Sequence, residues 1–186
     1  MKHELWYSVV VRDRHGKVLS RERRRSRSFL KQWNQVVYVR MKQASLLITD
    51  TGGVGRTISP HAYNFWVKNA AGNTAFGIRV GTGNTAVAID NYALETPIAE
   101  GTGVGQMEHL ICTVSAPTVA APNCSFIVSR AILNNSGAEI TGREAGIYAK
   151  LNATYFGCFT RDVFGTPQAV PNGGSIVINW TLRVTV

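Results

Sequence analysis

Seven consecutive residues, Arg21-Glu22-Arg23-Arg24-Arg25-Ser26-Arg27, carry the densest chemistry in this chain of 186 residues. A guanidinium presents its donors in a planar fork that fits carboxylates and phosphates in bidentate fashion. Five of them in one run, with Lys31 close behind, point to binding of an anionic surface and not to proton transfer. Tyr7, Trp33 and Tyr38 flank the run and could offer stacking faces to nucleic-acid bases. Two kinds of partner therefore fit: an acidic face of another protein, or nucleic acid. Charge distribution sharpens the point. Residues 1–45 hold twelve Lys and Arg against three acids, and residues 46–186 hold eight against eight, so the net +9 is confined to the first quarter. A neutral body carrying one cationic module suggests a docking element.

Other chemistry-bearing groups form no recognisable constellation. His3, His15, His61 and His109 share no spacing of three or four with one another or with a cysteine, so no zinc signature arises. The glycine clusters at residues 51–56 and 101–105 lack the Lys-Ser/Thr of a phosphate-binding loop. No Gly-x-Ser-x-Gly elbow occurs. Asp90, Glu95, Glu100, Glu108, Glu139, Glu144 and Asp162 are scattered along expected loops and strand ends, where spacing alone neither pairs nor separates them. Cys112, Cys124 and Cys158 are odd in number and embedded in apolar runs, which predicts three buried, reduced thiols. No catalytic, cofactor-binding or metal-ligating residue is expected. Neither a leader-like apolar segment nor an eighteen-residue apolar window is present, so secretion and membrane spanning are not expected.

The elements that must position the basic run are mostly strands. Residues 4–12 are rich in β-formers and predict a strand, turned by Arg14-His15-Gly16-Lys17 into a second strand near residues 18–21. Phe29, Trp33, Val36, Val37, Arg40 and Met41 fall at helical spacing and predict one amphipathic helix capped by Ser26 or Ser28. Phe29, Trp33, Val37 and Met41 are the expected anchors of that helix. From residue 45 onward, short apolar runs (SLLIT, YNFWV, FGIRV, MEHLICTVS, CSFIVSRAIL) alternate with Gly, Asn and Pro turns at residues 50–53, 134–137 and 171–174. Ile176, Ile178, Trp180, Leu182 and Val184 alternate cleanly and predict a long strand with one buried face. The expected fold is mainly β, an antiparallel, jelly-roll-like β-sandwich over residues 45–186. A basic hairpin and helix over residues 1–44 would serve as its docking element.

The fragments Gly81-Thr82-Gly83-Asn84-Thr85-Ala86, Asn134-Asn135-Ser136-Gly137, Glu144-Ala145-Gly146, Arg161-Asp162-Val163-Phe164 and the ending Asn179-Trp180-Thr181-Leu182 together resemble a widespread group of small tailed-bacteriophage virion proteins. The resemblance spans roughly residues 76–186 and implies a β-sandwich structural subunit without a catalytic residue. Gly81 and Gly83 would supply positive φ at a sharp turn, Gly146 a bulge or close crossing, and Leu94 with Ile98 a plug at the end of the sandwich. The Arg-rich module departs from the short members of that group.

The expectation that follows is a virion structural protein, assembled in the host cytoplasm, that associates with its own copies and docks on other virion proteins. Capsid decoration or cement is preferred, then a tail or connector component. Arg21, Arg23, Arg24, Arg25, Arg27 and Lys31 are the expected docking residues, with neither cofactor nor membrane involved. The alternative is a nucleic-acid-binding protein using residues 21–27.

Overall fold

Alternation of apolar with polar residues, interrupted by glycine turns, builds strands throughout this chain. The computed structural model describes residues 2–26 and 28–186, with Lys2 described by its main chain alone. The chain opens with a hairpin, β1 (Lys2–Arg12) and β2 (Val18–Ser26), turned where the Gly16 N–H donates to Asp13 O over 3.0 Å. One helix, α1 (Lys31–Lys42), and a short hairpin, β3 (Leu46–Thr49) with β4 (Gly55–Ile58), follow. The body continues through β5 (Gly77–Gly81), β6 (Ala99–Glu100), β7 (Gln106–Val114) and β8 (Thr118–Ala120). It ends with β9 (Asn123–Leu133), β10 (Ile140–Lys150), β11 (Phe156–Val170) and β12 (Ser175–Thr185).

The fold is mainly β, as the alternation predicts, and, besides the separate two-stranded β3–β4 sheet, consists of two stacked sheets. One runs β2-β1-β12-β9-β7-β6, with β8 beside β9, and the other runs β11-β10-β5. All pairings are antiparallel except the short β6–β7 pair, which is parallel. Leu5, Tyr7, Val9 and Val11 of β1 join Ile176, Ile178 and Trp180 of β12 on the inward face, packed against Ile78, Val80, Ile147 and Val170 of the other sheet. The parity expected for β12 holds, and Leu182 and Val184 become half-buried where the second sheet falls short.

Several local expectations change. The second strand continues to Ser26, so residues 21–26 of the arginine run lie within a strand. The hairpin does not stand apart from the body, because β1 pairs with β12 from Lys2↔Thr185 to Arg12↔Ser175. Residues 63–65 belong to a turn and residues 66–67 to no strand, and they lay Phe65 against Phe159. Helix α1 begins after Leu30 with no side-chain cap, since the Ser26 and Ser28 hydroxyls meet each other and Ser26 donates to Asp162 over 2.6 Å. Its buried face is Gln32, Val36 and Val39, rotated by about one residue from the expected stripe, and Met41 is 81% exposed. Trp33 still anchors the helix, with its ring centroid 4.7 Å from that of Phe29 and 5.7 Å from that of Phe159. Cys112 and Cys158 are buried free thiols, but Cys124 is exposed, because it sits where β9 and β12 overhang the smaller sheet.

Candidate docking surface

Period-two geometry divides the basic run between two faces of β2. In the β1–β2 register, Trp6, Ser8 and Val10 on the outer face stand opposite Arg25, Arg23 and Arg21. All three arginines are exposed. Successive members of the row lie about 7 Å apart along the strand. Arg23 sits over the Trp6 ring at 5.2 Å, and Arg25 approaches Glu4 at 3.8 Å. Arg21 has no ion pair among the described residues.

Ser20, Glu22, Arg24 and Ser26 point the other way and form a polar seam with β11. Between Val163↔Glu144 and Gln168↔Gly142 the ladder skips residues 164–167, which leave β10 as a bulge. The Glu22 carboxylate accepts from the main-chain N–H of Gly165 over 2.9 Å and of Thr166 over 3.1 Å. It also accepts the Tyr7 hydroxyl over 2.8 Å and pairs with Arg24 Nε at 2.9 Å. Arg24 lies across Gly165, whose lack of a side chain permits the contact. Ser20 donates to Gln168, and Ser26 to Asp162. Burial and the adjoining Glu22 carboxylate push the Tyr7 hydroxyl far upward, so it remains a donor across the working pH range. Burial also pushes the Asp162 carboxyl upward, against the lowering effect of its hydrogen bonds from Ser26 and Ser28.

The six expected docking residues therefore separate. Arg21, Arg23 and Arg25 form one row, and Arg24, on the other face, pairs with Glu22 and lies across Gly165 while its side chain stays 54% exposed. Lys31 opens α1, where its N–H donates to Ile89 O over 3.1 Å, and its side chain has no ion pair among the described residues. Arg27 lies outside the described residues. Sequence reasoning missed Glu22 as the anchor, Trp6 as the platform for Arg23, and Ser20, Ser26 and Gln168 as the seam. The alternation of Ser20, Glu22, Arg24 and Ser26 against Leu19, Arg21, Arg23 and Arg25 was the available signal.

The remaining polar constellations act as locks within the fold. Arg161 donates from Nε to the fully buried Glu144 over 2.7 Å and from Nη1 to Asn91 over 2.9 Å. Glu144 accepts from Thr96 N–H, and Glu95 accepts from Asn84 and Thr85, so the loop over residues 82–96 is tied onto β10 and β11. Hydrogen bonds from the Thr85 amide and hydroxyl hold the Glu95 carboxyl below its usual range. Gly81 and Gly83 have no positive φ. A Cβ would stand 2.5 Å from Glu144 Oε1 at either position, so glycine is required there by close approach and not by turn geometry. Gly146 is a close crossing as expected, with Thr160 O 2.6 Å from where its Cβ would lie.

Neither glycine cluster cradles a phosphate in this arrangement, because each already holds a side chain. Asp50 accepts from Gly52 and Val54 N–H and from Arg56 Nε over 2.8 Å, and Gln106 accepts from Gly103 N–H over 3.1 Å. His109 is buried, with Nδ1 2.8 Å from Glu100 Oε2 and 3.1 Å from Met107 O, and burial, aided by Arg130, depresses its pKa to about 4. Between the sheets a cavity of about 270 Å³ is lined by Trp33, Phe65, Phe126, Val128, Phe159 and neighbours, with Thr160 its one hydroxyl-bearing residue. Among the described residues no group of three or more His, Cys, Asp or Glu gathers to hold a metal. Comparison with protein-family models, with curated proteins and with solved structures returned no match.

Proposed function

We propose that this chain is a non-enzymatic structural subunit of a tailed-bacteriophage virion. It associates with copies of itself and docks on acidic surfaces of neighbouring virion proteins, as capsid decoration or cement first, and as a tail or connector component second. One observation carries the docking role: β2 directs its acid, Glu22, inward as an anchor and displays Arg21, Arg23 and Arg25 outward on a strand held by β1 along one edge and by the β11 bulge at its inner face. Arginines carried on a paired strand lose less backbone freedom on meeting carboxylates than those of a loose tail, which favours ordered protein contacts. The phage assignment rests on the resemblance of residues 76–186. Its fragments converge here on loop locks, the Glu144–Arg161 pair and the contact between the Asn134 and Pro171 turns, as a packing scaffold would require.

Nucleic acid is the competing partner. Trp6 shares the arginine face, yet its ring is covered by Arg23, which removes a stacking platform. Native mass spectrometry with absorbance at 260 nm, at low and high salt, tests the two directly. The expected result is a defined oligomer free of nucleic acid. A complex absorbing at 260 nm that dissolves as salt rises would replace this function with nucleic-acid binding.

A further inference from the structure

The outer edge of β2 has a property that face-to-face docking does not use. It ends its sheet, with β1 as its one neighbouring strand. Among the described residues, no main-chain hydrogen bond of residues 19–25 to other main-chain groups lies outside the β1 ladder. The ladder runs unbroken from Leu5↔Ser26 to Val11↔Ser20, with its irregularity confined to Val11/Arg12. No Pro or Gly interrupts β2. The β11 bulge meets β2 through the inward side chains of Ser20, Glu22 and Arg24, leaving the in-plane edge uncovered. Natural sheets rarely leave so regular an edge without a charge, bulge or proline to block unwanted pairing.

Here the charges of the outward row, Arg21, Arg23 and Arg25, are all of one sign, and this selects the occupant. Antiparallel pairing of β2 with β2 of a second copy, centred on Arg23, would set Arg21 opposite Arg25 and Arg23 opposite itself. Like charges directly opposed destabilise such a pair, so a second copy is rejected. A strand with acids at alternate positions would instead set one carboxylate beside each arginine while its main chain completes the ladder.

We propose that the free edge of β2 accepts an extended acidic segment of a partner protein by strand addition, with Asp or Glu at every second position pairing with Arg21, Arg23 and Arg25. This rests on the docking role assigned above and specifies its partner: not a folded acidic face but a peptide segment of period two. Main-chain hydrogen bonds supply affinity, and the arginine row sets register and excludes uncharged strands.

Three labelled peptides and the intact protein provide the test. The first is Thr-Glu-Val-Glu-Val-Glu-Thr, the second has the same composition with its three Glu contiguous, and the third is the first with its alternate, edge-facing amides N-methylated. Fluorescence polarisation reads affinity, and amide hydrogen exchange reads the site. The expected result is that the first peptide binds at least about tenfold more tightly than the other two, a gap of about 1.4 kcal/mol, and slows exchange within residues 19–25. Equal binding of all three, lost in the Arg21→Ser/Arg23→Ser/Arg25→Ser protein, would overturn strand addition while leaving arginine-dependent docking intact. Equal binding that survives that substitution would overturn both. An oligo-dT strand that displaces the first peptide and protects the same amides better would also overturn the proposal, in favour of nucleic acid.

Discussion

Glu22 is the residue on which the arrangement of the basic run turns. Its carboxylate satisfies two main-chain donors of the β11 bulge and the buried Tyr7 hydroxyl, so removing it strands several polar groups at once. Glu22→Ala is expected to cost about 2–4 kcal/mol in urea unfolding, whereas Arg23→Ser should cost under about 1 kcal/mol. Equal costs would mean that the seam does not hold the hairpin. The cysteines divide in the same way. One thiol, Cys124, should react quickly with a thiol reagent in the native protein and all three after denaturation; three fast thiols would contradict the burial of Cys112 and Cys158. His109 ties stability to pH. Its pKa is about 4 in the fold against 6.5 when exposed, so the unfolded chain takes up the proton first as pH falls. Stability should be full above pH 6.5 and decline between 6.5 and about 4, by on the order of 3 kcal/mol. A His109→Gln variant should lose that part of the slope. Little of this is legible in sequence, since Glu22 reads there as one acid among arginines and Cys124 sits in an apolar run like the other two.

At the scale of elements, strands announced by β-branched alternation are legible and those stabilised by neighbours are not. The β12 run and the β1 run appear where alternation places them. β2 beyond Arg21 does not, because arginine is a weak strand former. Its strand state there comes from pairing with Leu5, Trp6, Tyr7, Ser8 and Val9 and from the Glu22 seam. Helix α1 is legible in kind, but its face is not. Ser26 and Ser28, the apparent caps, are drawn to Asp162, and the helix starts later and rotates. The apolar run at residues 63–67 reads as a strand yet serves as an aromatic cover, its Phe65 held at positive φ of 69°. The loop over residues 82–96 depends on the absence of a side chain at Gly81. Gly81→Ala would press on Thr96 O and Glu144 together and should cost more than about 2 kcal/mol, with faster amide exchange across the loop. An Ala variant as stable as the native protein would show that the Glu144–Arg161 lock does not hold the loop.

Across the whole molecule, charge separation and fold answer each other. A body with balanced charge packs through apolar faces and internal hydrogen bonds, and the excess of positive charge stands on the first 45 residues, the larger part of it on a hairpin that belongs to the main sheet. That the charge is confined to one N-terminal element is legible in composition. That the element is an edge of the sheet is not, because the pairing of β1 with β12 joins residues at opposite ends of the chain. The central claim, that Arg21, Arg23 and Arg25 join this subunit to a virion, is tested most directly by quantitative mass spectrometry. The samples are particles purified from a phage whose genome encodes the chain, carrying either the native protein or the Arg21→Ser/Arg23→Ser/Arg25→Ser variant. The account predicts many native copies per particle, and a variant that folds with nearly native stability but falls at least about tenfold in copy number, the deficit growing with salt. Particles that carry the variant at native copy number, or that lack the native chain altogether, would contradict it.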